Sequence, residues 1–229
     1  MLDVGCGPGT TTLALAQDVG AAGRVVGVDI SAPLLDLGRQ RGAGIANVSF
    51  VEADAQATIP PGAPFDAVYS RFGLMFFDDP EAAFDNLHRS TSRDGRLAFV
   101  CWQGPDQNPW FLAPMMALAG LPGLELPPPP GPEDPGPFAF ANPDRVRRIL
   151  ASSGWRQIEL QEYRDEIVDD LDRRVEFCLR QGPAARALAD VDDDIRAAAT
   201  VRVRDALAQA SSGGLVRLPR AAWIVTAYA

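Results

Sequence analysis

The sequence predicts an α/β fold, a doubly wound and mostly parallel sheet with helices on both faces. Short apolar runs alternate with helix-length segments over the first hundred residues, and the first run breaks into a glycine-dense loop. An aspartate, Asp29, then ends the second run twenty residues beyond Gly9. Strand–helix–strand alternation requires crossover connections, and sheets built that way bind ligands at the carboxyl ends of their strands.

Strand-like runs fall at 2–5, 24–29, 48–52, 65–70 and 96–102. Helices are expected at 10–19, 32–41 and 80–92, the last opened by Asp79 as N-cap and Pro80 at the first helical position. After Trp102 the alternation fails. Residues 103–137 are proline-rich, yet they carry Trp110, Phe111, Met115 and Met116, which favours a cap over the site against a disordered linker. Asn142-Pro143 starts a further helix, with Val146, Ile149 and Leu150 at helical spacing, and it ends near Gly154. Residues 155–163 alternate like a strand. Residues 171–210 read as helical, with Ile195, Ala199, Val203 and Leu207 four apart on one side. Gly213-Gly214 breaks that pattern, and 222–228 form a final strand. A single domain over 1–229 is expected, with cap insertions at about 103–140 and 168–214.

The length of 229 residues suits one sizeable domain with an insertion. A net charge of −9 opposes nucleic acid or an anionic membrane as the main partner. Every basic side chain is arginine, which removes Schiff-base chemistry from consideration. Cys6, Cys101 and Cys178 are far apart, with no C-x-x-C pair, as expected for a reducing compartment without structural zinc. No long apolar run and no signal peptide is present, so a cytoplasmic protein without membrane insertion is expected.

The chemistry concentrates at the strand ends. Gly5-Cys6-Gly7-Pro8-Gly9 can fold tightly under a ligand, and the helix behind it directs free N–H groups and a partial positive charge at the same place. Asp29 has the position of an acid that accepts from both hydroxyls of a ribose; the plainer reading is an exposed loop aspartate. Asp54 either accepts from an exocyclic adenine amine or simply shapes a turn. Asp3 lies inside the first strand, where a carboxylate is costly to bury without a partner, unless that end of the chain is frayed and exposed.

Taken together, these residues resemble the class I S-adenosylmethionine-dependent methyltransferases, in particular the small-molecule branch typified by ubiquinone and menaquinone biosynthesis enzymes. The matching text is Leu-Asp-Val-Gly-Cys-Gly-Pro-Gly at 2–9, Val-Val-Gly-Val-Asp-Ile-Ser at 25–31, Glu-Ala-Asp-Ala at 52–55, Phe-Asp-Ala-Val-Tyr-Ser at 65–70 and Asp-Gly-Arg-Leu at 94–97. It is specific over 2–102, looser at 138–163 and 217–228, and absent from 103–137 and most of 165–215. The resemblance implies a Rossmann-like methyltransferase fold, a seven-stranded sheet whose last strand is antiparallel, with S-adenosyl-L-methionine as cofactor. It assigns Gly5, Cys6, Gly7 and Gly9 to the loop under the cofactor and Asp3 to its methionine end. Asp29 falls to the ribose, Ile30 beside the adenine, Asp54 and Ala55 on the adenine edge, and Ser70 and Arg71 near the methionyl moiety and the substrate entrance. The family places one or more helices before the glycine strand. Here that strand begins at residue 2, so an N-terminally incomplete sequence or a late assigned start is expected, with poor cofactor affinity as a consequence.

The expected reaction is methyl transfer to an oxygen or carbon nucleophile of an apolar or aromatic small molecule. Phe72, Phe76, Trp102, Gln103 and Trp110 are the substrate-side candidates, beside Met75, Phe77 and Phe111; some of these are ordinary core. A small-molecule substrate and, at most, a second copy of the chain are the expected partners. No catalytic base is assigned. His88, the single histidine, falls on the 80–92 helix away from the strand ends. Glu162 and Tyr163 are either acid–base groups or rim residues, and Arg71 either orients an anionic substrate or makes a surface ion pair. A nicotinamide-dependent oxidoreductase is opposed by Thr10 at the third glycine position and by the absence of lysine. The alternative of a different class is a non-catalytic S-adenosylmethionine-binding or partner subunit on the same fold.

Overall fold

The computed structural model describes residues 1–229. In chain order the elements are β1 (Leu2–Val4), α1 (Thr10–Val19), β2 (Val25–Asp29), α2 (Ala32–Arg41), β3 (Val48–Glu52), β4 (Phe65–Arg71), α3 (Pro80–Arg89) and β5 (Thr91–Trp102). There follow α4 (Pro109–Leu118), α5 (Pro143–Ser152), β6 (Arg156–Asp170), α6 (Leu171–Arg180), α7 (Gly182–Ala187), α8 (Asp193–Ala208), β7 (Ser211–Ser212) and β8 (Leu215–Tyr228). The sheet order is β3-β2-β1-β4-β5-β8-β6, with β7 paired to β8 off that path. β1 to β5 are mutually parallel, and β8 runs antiparallel to β5 from Arg96↔Tyr228 to Trp102↔Ala222. No helix is long and apolar enough to cross a membrane.

The chain divides into two compact units: Met1–Trp102, Pro132–Glu162 and Ala222–Ala229 form the first, Gln103–Gly131 and Tyr163–Ala221 the second. In the first, one face of the central strands is apolar and packs on helices, while Asp3 lies on the other face against Thr12 of α1. Leu2, Val4, Val26, Val28, Val68, Leu97 and Phe99 form the core with Phe84 and Leu87 of α3, Phe140, and Ile149 and Leu150 of α5. In the second, α8 turns Ala199, Val203 and Leu207 inward, fully buried, and packs on α4 and α6. The four-residue spacing read from the sequence therefore marks the inner face of α8.

Several boundaries differ from the sequence expectation: the final strand starts at Leu215, the stretch 171–210 is three helices, and four further differences have a plain physical reason. The helix expected over 80–92 stops at Arg89, because Thr91 already pairs with Phe65 and the strand reaches Arg96 through a bulge in which Asp94 adopts φ 65°. Gly213-Gly214 is a two-residue hairpin turn with both φ positive (59° and 80°), so it creates the eighth strand, β7, where only a break was expected. β6 continues to Asp170, well past Tyr163. Its added stretch is acidic and largely exposed, and is held in part by Arg217–Glu166 (3.3 Å) and Arg220–Asp165 (2.5 Å). Finally, the proline-rich region contains α4, started by Pro109, where a missing N–H costs nothing.

One buried polar side chain positions a loop that matters below. Asn86 on α3 is 1 % exposed and donates to the carbonyls of Ala55 and Thr58, both at 2.9 Å, so the segment after β3 is held to the helix. Asn86→Ala leaves both carbonyls without that donor and is expected to destabilise the fold by about 1–3 kcal/mol in urea unfolding. A variant as stable as the parent would show that Asn86 does not hold this segment.

Candidate functional site

β1 ends at Val4 and the chain turns through Gly5, at φ 66°. A Cβ on Gly5 would lie 2.8 Å from the Cα of Gly73, and one on Gly73 would lie 2.8 Å from the Val4 carbonyl oxygen. Backbone therefore touches backbone between the loop after β1 and the loop after β4. Beneath the contact, the buried Ser70 hydroxyl donates to the Val4 carbonyl at 2.7 Å. Gly9, the N-cap of α1, leaves room for the Phe50 ring, which an added Cβ would meet at 2.6 Å.

Asp29, the last residue of β2, fixes the other side of the loop. Its two carboxylate oxygens accept from the Gly7 amide (2.8 Å) and the Ser31 amide (2.9 Å). A carboxylate offers about four acceptor positions, so each oxygen retains one for a ligand. The Asp54 carboxylate accepts from the Gln56 amide at 2.9 Å and shapes the turn after β3, while its carbonyl accepts from Thr58.

These strand ends enclose a cavity of about 410 Å³. Of the residues singled out in the sequence, Gly5 and Gly7 line it from the loop, Asp29 and Ile30 from the end of β2, Asp54 and Ala55 from the end of β3, and Phe72 and Phe76 from the segment after β4. Ile30 and Phe76 are strongly exposed, at 74 % and 56 %. Gly73, Gln56, Leu34 and Asp78 also line it and were not anticipated. Gly73 carries the one signal that was available, a glycine two residues past a strand end.

Other candidates sit beneath or beside the cavity. Cys6 is packed under the loop, its amide donating to the Val28 carbonyl, and burial pushes its thiol up to about 12, so it stays neutral. Asp3 is 1 % exposed and accepts from the Thr12 hydroxyl at 2.7 Å. Burial raises its carboxyl to about 6, opposed by that hydrogen bond and by the charge of Arg71 at the exposed end of β4. Phe72 adopts φ 62° and stacks on Trp102 at 4.0 Å with the rings 12° from parallel.

Gln103 and Trp110 belong to the second unit. The Gln103 amide donates to Ala221, and the Trp110 indole donates to Asn108 at 3.0 Å. Tyr163 donates to Asp165 within the extended β6. His88 meets Trp155 edge-on at 5.2 Å, in the α3–α5 packing.

The family model described as "Methyltransferase domain" matches residues 1–95. Over that stretch the chain is similar to this domain. Demethylmenaquinone methyltransferase of Staphylococcus epidermidis is 38% identical over 100 residues, which cover 44% of this chain and 41% of that protein. The chain thus matches about two fifths of the length of such relatives. Among solved structures, the YcgJ protein of Bacillus subtilis superposes with a TM-score of 0.63 at 17% identity, covering 99% of this chain and 90% of that one. A phosphoethanolamine N-methyltransferase 2 of Haemonchus contortus, solved in complex with S-adenosyl-L-methionine, gives 0.57 at 16% identity, covering 100% of this chain and 48% of that one. The structural likenesses give the fold: a Rossmann-like α/β sheet.

Burial of Asp3 has a measurable consequence. Below pH 4 its carboxyl is protonated folded and unfolded; between about 4 and 6 the folded chain keeps a proton that the unfolded chain releases. That raised pKa lowers stability by about 3 kcal/mol across the window, and the loss persists at higher pH. Asp3→Asn is expected to remove this component. The stability difference, variant minus parent, should then be about 3 kcal/mol more favourable at pH 7 than at pH 3.5 in denaturant titrations. An equal difference at both pH values would contradict the assignment.

Proposed function

We propose that this chain binds S-adenosyl-L-methionine in the cavity at the strand ends and directs methyl transfer to an oxygen or carbon nucleophile of a small apolar or aromatic molecule. The observation that carries the reading is the pairing of a bare glycine loop with a carboxylate opposite: Gly5 and Gly7 present only main chain to the cavity, and Asp29 stands across from them, already oriented by the Gly7 amide. That combination suits a nucleoside, whose sugar hydroxyls donate and whose linker lies against backbone. The Staphylococcus relative methylates demethylmenaquinone by its name, and the Haemonchus contortus structure holds S-adenosyl-L-methionine, so both agree with it.

When bound, S-adenosyl-L-methionine supplies an electrophilic methyl group on a sulfonium. The chain's residues then need form no covalent bond to either reactant; they hold the acceptor in line and exclude water, and such positioning contributes about 7–11 kcal/mol in favourable cases. Asp29 accepts from the ribose hydroxyls through its two remaining acceptor positions. The segment carrying Asp54 and Ala55 meets the adenine edge, with Ile30 against its face. Asp3 beneath the loop provides negative charge for the methionyl ammonium, and Arg71 faces the same end. Phe72, stacked on Trp102, and the exposed Phe76 offer apolar surface to the acceptor. The acidic net charge of −9 fits a small molecule better than nucleic acid, and three buried free thiols fit the cytoplasm.

The test is a screen of phenolic and quinol-like acceptors for S-adenosylhomocysteine formation. Turnover on members of that class is expected, with Phe76→Ala raising the acceptor KM several-fold while calorimetric S-adenosylhomocysteine affinity stays within twofold. Turnover confined to protein or RNA acceptors would overturn the reading.

A further inference from the structure

The second unit contains its own cleft, of about 250 Å³, formed by residues of α4, α6 and α7. Three aromatic rings line it: Trp110 and Phe111, edge to face at 5.6 Å, and Phe177, which is 40 % exposed. Among these apolar walls lies Arg174. It is 6 % exposed, its Nε is buried without a hydrogen-bond partner, and its guanidinium stands over the Phe177 ring at 4.8 Å.

A buried guanidinium normally has a carboxylate, because removing its charge from water is costly without one. The acids near it on the chain are engaged elsewhere: Asp172 with Arg204 at 2.5 Å, Glu176 with Arg180 at 3.1 Å, and Asp169 with Arg173 at 3.5 Å. Arg174 meets the Cys178 thiol of the same cleft through a hydrogen bond but pairs with no carboxylate, and its guanidinium is stacked on one ring and bordered by two more. A guanidinium in that setting matches a ligand whose carboxylate it can grip at two points and whose ring can lie on aromatic faces.

We propose that this cleft is a second ligand site, selective for a carboxylate-bearing aromatic small molecule, with Arg174 holding the carboxylate and Trp110, Phe111 and Phe177 holding the ring. The inference stands on the second unit alone and does not depend on methyl transfer.

The probe is 2-naphthoate, titrated into the full chain by calorimetry, beside its neutral counterpart 2-naphthamide. Naphthoate is expected to bind at least about tenfold more tightly than the amide, and Arg174→Gln is expected to weaken naphthoate by about tenfold or more while leaving the amide unchanged. Should that variant fail to fold by circular dichroism, Phe111→Ala, which keeps the charge, is expected to weaken naphthoate several-fold. Saturating S-adenosylhomocysteine should leave naphthoate affinity unchanged. Equal affinity for acid and amide, a folded Arg174→Gln or Phe111→Ala variant that binds like the parent, or displacement of naphthoate by S-adenosylhomocysteine would each overturn the proposal.

Discussion

The Asp29 carboxylate accepts the Gly7 amide on one oxygen and the Ser31 amide on the other, so a single side chain ties the glycine loop to the end of β2. Much of the front edge follows from that tie. The loop must leave β1 at Gly5 with a positive φ and pass against Gly73 with no side chain between them, so the segment after β4 is fixed as well. A carboxylate that orients amides while keeping acceptor capacity is prepared for a ligand before the ligand arrives, which lowers the ordering cost of binding. The same group is thus a structural brace and a proposed recognition element, and the two roles share one geometry.

Around this brace, the polar interior is divided between fixing loops and carrying charge. Ser70 and Asn86 serve backbone carbonyls, at Val4 and at Ala55 and Thr58, and neither lines the cavity. Asp3 is the exception, a carboxylate buried under the loop with one hydroxyl partner and a raised pKa. A fold retains such a costly group where its charge has a use, and an ammonium at the methionine end of the proposed cofactor would offset that cost.

How much of this was legible depended on whether local chemistry or distant packing decided the outcome. β1 to β4 and the first three helices followed from apolar runs, from the glycine loop before Thr10 and from Asp79-Pro80, all signals contained in a few residues. Gly5, Gly7 and Asp29 were readable because a tight turn demands glycine within the loop itself, and the acid directly closes its own apolar strand. Gly73 was not, since its need for a missing side chain arises from Gly5, almost seventy residues away. Ser70 looked like a cavity residue and is instead turned toward Val4, a choice set by the neighbouring strand. The acidic continuation of β6 and the Gly213-Gly214 hairpin went unread because exposed strands lack the alternation that burial imposes, and partners such as Arg217 and Arg220 lie far along the chain. Arg174 gave no sign at all: only packing shows that a charged residue on an amphipathic helix faces inward.

The central claim is that the Asp29 carboxylate, braced by Gly7, grips the nucleoside. Calorimetry of S-adenosylhomocysteine on the parent and on a folded Asp29→Ala variant tests it directly. Losing charge-assisted hydrogen bonds to the ribose of about 1.5–3 kcal/mol predicts an affinity lower by roughly ten- to more than a hundredfold. Undiminished affinity in the variant would contradict the account.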